Sequence, residues 1–156
     1  MAKFNMQLPN DVLSDLRKID SNADKIFGDM TKAGAEVALS EVKANAPSNL
    51  SSYAKLTKTY KTPSDGGINT KVIFSGYLPF STPNRTSFLR RGRGGGKVYS
   101  TTKGVPADFL AILYEYGRSN APFPKKPFFR RSFNQGRIEK AMLEAQKTAS
   151  GGILDE

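Results

Sequence analysis

The carboxylates are the residues whose chemistry has to be considered first, because the sequence contains neither His nor Cys. Their absence excludes a Ser–His–Asp triad, a thiol nucleophile and a thiolate zinc site. Between residues 42 and 138 the acids are Asp65, Asp108 and Glu115. Two carboxylates can form a glycosidase pair, but Asp65 lies in a turn-forming segment and Glu115 stands between two tyrosines. A magnesium nuclease needs several clustered acids, so the sequence predicts a protein that is not an enzyme and has no metal or cofactor site.

A segment rich in Arg and Gly, residues 90–97, raises the question of phosphate binding. A Walker loop requires Gly, four residues and then Gly-Lys-Ser/Thr. Here Val98 follows Gly96-Lys97, and Arg91 occupies the position of the first Gly, so the pattern fails twice. Two other interpretations stay open. The segment could follow a nucleic-acid backbone beside stacking aromatic residues, or it could dock on an acidic protein neighbour and become ordered on assembly.

The positive charge of the chain is concentrated in its middle third. The net charge is +10, and residues 53–106 hold 10 Lys/Arg but a single acid, against 6 and 7 in residues 1–52 and 8 and 6 in residues 107–156. Such a one-sided field favours a polyanion or an acidic protein surface, with a solvated face that only aids solubility as the alternative. The predicted partner-contacting or DNA-contacting residues are Arg85, Arg90, Arg91, Arg93 and Lys97.

The first 46 residues are predicted to be helical, because apolar residues recur at steps of three and four. This stripe comprises Val12, Leu16, Ile19, Ala23, Ile26, Phe27, Met30, Gly34, Val37, Ala38 and Val42. Ser21 and Asp24 resemble a capping box, so a break near Asp20 is expected, followed by a helix of about 25 residues that Pro47 stops. The aspartates of residues 11–29 mostly fall off the stripe and are expected to face solvent.

The middle of the chain is predicted to be β-rich. Residues 53–62 and 68–75 read as two strands joined by the turn Pro63–Gly67, and they should pair as a hairpin. Residues 79–104 are expected to form an extended basic loop or hairpin, with a strand over 97–102 as its one convincing element. The apolar run Phe109–Tyr116 could be a buried strand or a short helix capped by Gly117.

The fold class predicted from these elements is α+β: N-terminal helices, one of them long, and a C-terminal helix pack on a small antiparallel sheet. The last helix is expected over residues 128–149. Residues 1–149 form a single domain in this interpretation, and residues 150–156 a flexible C-terminal tail. No apolar run reaches the 18 residues that would span a bilayer, and the N-terminus lacks the apolar stretch of a signal peptide. The protein is therefore expected to be made in a cytoplasm and to have no membrane partner.

A short motif links the last apolar run to the last helix. Tyr114-Glu115-Tyr116-Gly117-Arg118-Ser119 is followed by a proline-rich connection and by Pro127-Phe128-Phe129-Arg130-Arg131-Ser132-Phe133. The motif could simply be the way in which the last helix packs on the sheet. Glu115 could then pair with Arg130 or Arg131 where the two elements meet.

This motif resembles the gene-product-ten-like family, the head–tail joining or tail-completion (neck) proteins of long-tailed bacteriophages. The family shows an aromatic-Glu-aromatic-Gly segment and then a proline-introduced Phe-Leu-Arg-Pro-Ala-Phe before a terminal helix. The N-terminal half is similar too, with a Leu-Pro start, Ala33-Gly34-Ala35 in a long helix and Ala46-Pro47 at its end. The chain departs from the family at Arg130-Arg131-Ser132, after Pro47, and in its longer stretch over 79–104. The matching motif or interface residues are Tyr114, Glu115, Tyr116, Gly117, Pro127, Phe128, Phe129 and Arg130.

The resemblance implies a structural virion protein of the neck, made in a bacterial host and located in the virion. Its implied partners are further copies of itself in a ring, adjacent head-completion or adaptor proteins, and tail-terminator or tail-tube proteins. The basic loop could contact packaged DNA in the lumen or dock on a neighbouring ring. The alternative is a small basic nucleic-acid-binding module that uses the Arg/Gly segment.

Overall fold

The computed structural model describes residues 10–81, 87–91, 98–118 and 125–151, which combine helices with short antiparallel strands. The helices are α1 (Asn10–Asn45), α2 (Ser48–Ser51), α3 (Ala107–Tyr116) and α4 (Gln135–Ala149), and Arg130–Ser132 form one turn of 3-10 helix. The strands are β1 (Ala54–Leu56), β2 (Tyr60–Lys61), β3 (Ile68–Asn69), β4 (Val72–Phe74), β5 (Tyr77–Leu78), β6 (Phe88–Arg91), β7 (Val98–Thr101) and β8 (Val105–Pro106). The predicted α+β class is confirmed. Within the described ranges, no helix has both the length and the apolar character needed to cross a membrane.

Helix α1 is a single helix of 36 residues, so the predicted break near Asp20 is wrong. That break depended on Ser21 acting as an N-cap. Its hydroxyl instead donates to the carbonyl oxygen of Lys18, 2.9 Å away in the preceding turn. A hydroxyl satisfied in this way leaves the main-chain hydrogen bonds of the helix in place. The predicted stop is confirmed, because α1 ends at Asn45, two residues before Pro47.

Helices α1 and α4 pack as an antiparallel pair. Glu41 forms an ion pair with Arg137 near the start of α4, and Asp29 lies beside the end of α4. Between these points Gly34 lets the helices approach closely, since a Cβ there would lie 2.8 Å from Cγ of Met142. Because α4 ends at Ala149, the first half of α1 extends beyond it.

The predicted apolar stripe of α1 is therefore buried mainly in its second half. Its members Gly34, Ala38 and Val42 are buried there, together with Ala35, which the stripe did not include, and Ile26 is the buried member of the first half. Towards the N-terminus, Val12, Leu16 and Phe27 are 42%, 52% and 53% exposed. We call residues Val12–Phe27 the arm of α1.

The predicted hairpin is confirmed. Strand β1 pairs antiparallel with β4, and β2 with β3. The register moves by one residue between the two ladders, because three residues separate β1 from β2 and two separate β3 from β4. Thr57 bridges this bulge: its N–H donates to the carbonyl oxygen of Lys71 at 2.9 Å, and its hydroxyl accepts the N–H of Lys71 at 3.0 Å.

Two further ladders organise residues 77–106. Strand β5 pairs with β8, and Gly104 is required beside this ladder because its φ is +128° and a Cβ would lie 2.1 Å from the carbonyl oxygen of Leu78. Strand β6, which the sequence did not predict, pairs antiparallel with β7. The described parts of residues 79–104 thus include a pair of antiparallel strands, and residues 82–86 and 92–97 of the predicted loop lie outside the described residues.

The structure decides between strand and helix for the apolar run of α3, and it corrects the predicted start of the last helix. Residues 107–116 form a helix rather than a strand, and Gly117 caps it by donating its N–H to the carbonyl oxygen of Leu113, 2.8 Å away. The predicted helix over 128–149 is wrong in its first part. The 3-10 turn precedes α4, which begins at Gln135 because the Asn134 side chain accepts the N–H of Arg137 as an N-cap.

The main core lies where the end of α1, α2, α3 and the first hairpin meet. Burial here is the principal stabilising contribution, as it removes apolar surface from water. Its buried members are Val42, Leu50, Ala54, Leu78, Ala107, Ala111 and Phe128.

Replacing Gly34 by Leu should lower the free energy of unfolding by about 1–3 kcal/mol, because overpacking against Met142 and Ile138 outweighs the gain in helix propensity. The matched control is Gly28→Ala in the same helix, where the added Cβ would lie 3.9 Å from Thr59. That variant should gain up to about 1 kcal/mol from helix propensity. Urea unfolding followed by circular dichroism measures both, and a stabilised G34L would contradict the close approach of the helices.

Candidate functional site

The candidate site is built around the Glu115 carboxylate, which is buried in the last turn of α3 and only 5% exposed. Its Oε2 accepts the backbone N–H groups of Phe128 and Phe129, each at 3.0 Å. Its Oε1 accepts Nε–H of Arg130 at 2.9 Å. One carboxylate thus holds three consecutive residues of the motif, and we call this arrangement the Glu115 clamp.

The local sequence explains why the clamp forms. Ala107, Ala111 and Glu115 follow each other at steps of four, so they share the buried face of α3. After the turn at Gly117 the chain returns to this helix end, where the N–H of Lys126 donates to the carbonyl oxygen of Tyr114 at 2.7 Å. Pro127 has no N–H, and the next two backbone donors reach the carboxylate.

The electrostatics of the clamp keep Glu115 ionised. Burial raises the pKa of its carboxyl, but the hydrogen bonds from Arg130 and from the N–H groups of Phe129 and Phe128 lower it by more, so the pKa lies below its usual value. The same contact raises the pKa of Arg130. The Arg130 guanidinium also lies over the ring of Tyr116, 5.1 Å from its centroid.

The clamp places two aromatic side chains against the sheet. The ring of Phe74 lies 5.8 Å from that of Phe128 and 6.0 Å from that of Phe129, and Phe129 in turn contacts Phe133 edge to face. Edge-to-face pairs of this kind stabilise beyond the area they bury. The clamp therefore joins α3, β4 and the chain leading to α4.

A second polar connection joins the clamp to α1. The buried Ser132 donates its hydroxyl to the carbonyl oxygen of Phe128 at 2.7 Å, and it accepts Nδ2–H of Asn45 at 3.1 Å. Sequence reasoning did not identify Ser132 or Asn45. Ser132 belongs to the motif described above, but its residue type alone does not show that the hydroxyl accepts the Asn45 amide.

A shallow groove, which we call the α3 groove, runs beside the clamp between β4 and α3. Three of its apolar side chains, those of Ile73, Ile112 and Tyr116, are 39%, 46% and 63% exposed. Sequence reasoning did not identify Ile73 or Ile112, because an exposed Ile in a short apolar run has the same pattern as a buried one. The full lining comprises Val72, Ile73, Phe74, Asp108, Ala111, Ile112, Glu115, Tyr116 and Phe129.

The structure brings the predicted motif residues together at the end of α3. Tyr114 packs against the core, while Glu115, Phe128, Phe129 and Arg130 form the clamp. In the basic set, Arg90 and Arg91 belong to β6 and are paired in register with Tyr99 and Val98. Arg85, Arg93 and Lys97 lie outside the described residues.

The chemistry available to the clamp is that of a structural ion pair. Both carboxylate oxygens of Glu115 accept hydrogen bonds from the chain itself, two at Oε2 and one at Oε1. In the part of the chain that the structure describes, no three acids lie close enough together to hold a metal ion, and every buried side-chain nitrogen and oxygen has a partner. No family model, curated protein or solved structure matches the chain. The geometry of the clamp is therefore the main evidence for the role of these residues.

Replacing Glu115 by Gln should lower the free energy of unfolding by about 1–3 kcal/mol, the typical cost of leaving a buried hydrogen-bonding group without its partner. An amide of the same shape can accept the backbone N–H groups with its oxygen, but its NH2 then faces Nε–H of Arg130, donor against donor. Urea unfolding measures the change. The control is Glu144→Gln on the exposed surface of α4, which should change stability by less than about 0.5 kcal/mol; equal effects of the two variants would contradict the clamp.

The stability difference between the wild type and Glu115→Gln should depend on pH in one direction. Since the pKa of folded Glu115 is lowered, its contribution is fully present above its ordinary value of 4.5 and is lost as the pH falls through the lower folded value. The difference should therefore be constant above pH 4.5 and shrink below it. Unfolding curves recorded across this range provide the measurement, and a difference that widens at low pH would show that the carboxylate is not held ionised.

Proposed function

We propose that this chain is a structural subunit of the virion neck of a tailed bacteriophage, a head–tail joining or tail-completion protein that assembles as a ring. The observation that carries the proposal is the Glu115 clamp. The residues by which the sequence resembles the neck-protein family are the residues that hold α3 to the segment before α4. A motif used in this way needs no substrate, which agrees with an architectural role.

The distribution of charge gives the proposal further support. A ring subunit contacts its neighbours through two different surfaces, one on each side. Charge-matched surfaces suit such contacts, and the chain has a net charge of −1 over residues 1–52 and of +9 over residues 53–106. In this role the subunit would contact its own copies, a head-completion or adaptor protein, and a tail-terminator or tail-tube protein.

A small nucleic-acid-binding module is the second candidate, and the β6–β7 hairpin favours it. Arg90 and Arg91 are the last two residues of β6 in the ladder with β7. They belong to residues 53–106, which contain 10 Lys/Arg and a single acid. Basic residues on a hairpin can follow a phosphate backbone. Affinity of this kind falls steeply with salt.

Light scattering of the purified chain separates the two candidates when it is performed at low and high salt, with and without duplex DNA. The neck proposal expects a ring-sized species, or a monomer indifferent to DNA that assembles on a partner ring. The triple variant Arg90→Ala, Arg91→Ala and Arg93→Ala should then keep the fold and lose at most one interface.

A different result would move the assignment to the nucleic-acid module. The chain would remain a monomer, bind DNA at low salt and release it at high salt, and the triple variant would lose that affinity. The matched control removes the same charge from an exposed surface elsewhere, through Lys125→Ala, Lys126→Ala and Arg131→Ala. An equal loss in both variants would indicate attraction by net charge alone.

A further inference from the structure

The arm of α1 presents an apolar surface that no described part of the same chain covers. Val12, Leu16 and Phe27 are exposed, and Ala23 is half-buried. At 100° per residue these four lie within about 60° of one another around the helix. They continue the face on which Gly34 packs against α4, past the point where α4 ends.

The charges around this stripe favour a basic partner. Asp20 is exposed and lies four residues after Leu16, at the edge of the stripe. Of the exposed bases of the arm, Lys18 and Lys25 lie on the opposite side of the helix, and Arg17 lies about 60° beyond Asp20. Antiparallel pairing of two arms along their stripes would bring the Asp20 carboxylates of the two copies to the same edge of the contact, where like charges repel.

The α3 groove supplies an apolar surface with basic side chains at its border. Ile73, Ile112 and Tyr116 are its exposed apolar members. Lys55 is the register partner of Ile73 and lies on the same face of the ladder. At the other side, Arg130 lies over Tyr116, and its side chain remains 67% exposed although it is paired with Glu115. Asp108 lies in the first turn of α3 and contributes the one acid of the lining besides Glu115.

The arm cannot reach the groove of its own chain. Val72, in β4, lies beside Ala35 and Ala38 of α1, and Val12 is 23 residues before Ala35 in a continuous helix. At a rise of 1.5 Å per residue this places Val12 about 35 Å away along the helix axis. The N-terminal part of the arm can therefore meet this groove only in a different molecule.

We propose that the arm of α1 of one copy docks in the α3 groove of a second copy. Leu16 and Phe27 would bury their side chains against Ile73, Ile112 and Tyr116, and Asp20 would lie near Lys55 or Arg130. The two surfaces differ, so the contact is heterologous and each copy retains one free arm or one free groove until the assembly closes. This inference rests on the proposed ring function and specifies the surfaces that would form the ring.

Complementation between two surface variants tests the contact in the full-length chain. Leu16→Ser should disable the arm and Ile112→Ser the groove, each lowering the association constant by about tenfold or more, while the circular dichroism spectrum and Tm stay those of the wild type. A mixture of the two variants retains one good arm and one good groove. It should therefore form dimers and nothing larger by sedimentation velocity. Leu143→Ser, at an exposed position of α4 away from both surfaces, is the control and should assemble as the wild type does.

Because the sequence contains no Cys, disulfide trapping gives a second measurement that also reports weak association. A mixture of Leu16→Cys and Ile112→Cys should form a mixed disulfide dimer under mild oxidation at high protein concentration. A mixture of Leu16→Cys with Leu143→Cys should form it at least about tenfold less.

The outcomes separate this contact from the proposed function. Rings of unchanged mass in both Ser variants would overturn the arm–groove contact and leave the neck proposal in place. Loss of assembly in Leu16→Ser alone, with Ile112→Ser unaffected, would indicate arm-to-arm pairing and overturn the contact as well. If Leu16→Cys formed as much mixed disulfide with Leu143→Cys as with Ile112→Cys, the arm–groove contact would also be overturned. A chain that binds DNA as a monomer and shows no trapping would overturn both proposals.

Discussion

The structure depends on one buried carboxylate. Removing Glu115 from water costs several kcal/mol unless the charge is paired and its lone pairs are used, and here three donors meet that requirement. Two of them are backbone N–H groups, which cannot move away without unfolding the turn. The requirement for these donors fixes the path of the chain from Pro127 onward, and with it the position of the rings packed on Phe74 and the start of α4.

Helix α1 provides the frame on which the clamp is assembled. Its C-terminal half contacts the first hairpin, the 3-10 turn and α4, and the Asn45 amide extends the polar network of the clamp through Ser132. The ion pair of Glu41 with Arg137 and the close approach at Gly34 set the position of α4 along the same helix. The same continuous helix carries the arm, so the arm and the clamp are attached to one element.

Sequence patterns predicted the parts of the fold that short-range chemistry controls. The turn at residues 63–67 and the β-rich runs beside it predicted the first hairpin, and a helix capped by Gly117 was one of the two alternatives for residues 109–116. The break at Asp20 was wrong because a hydroxyl can satisfy itself inside a helix as well as at its start. The pairing of Glu115 with Arg130 was one of two expected pairs. Its backbone contacts were not expected, because every residue except Pro carries the same N–H and the sequence does not show which of them reach a carboxylate.

The clamp also connects stability with the molecular surface. Arg130 is held by Glu115 on the buried side, and its guanidinium covers the exposed ring of Tyr116 on the other. Tyr116 forms one end of the α3 groove, and Phe129, whose N–H the clamp holds, forms part of its floor. The carboxylate that fixes the chain before α4 therefore also positions Phe129 and Arg130 at this end of the groove. In the proposed contact these two residues would already be held in place, so docking an arm beside them would cost less conformational entropy than docking on a mobile surface.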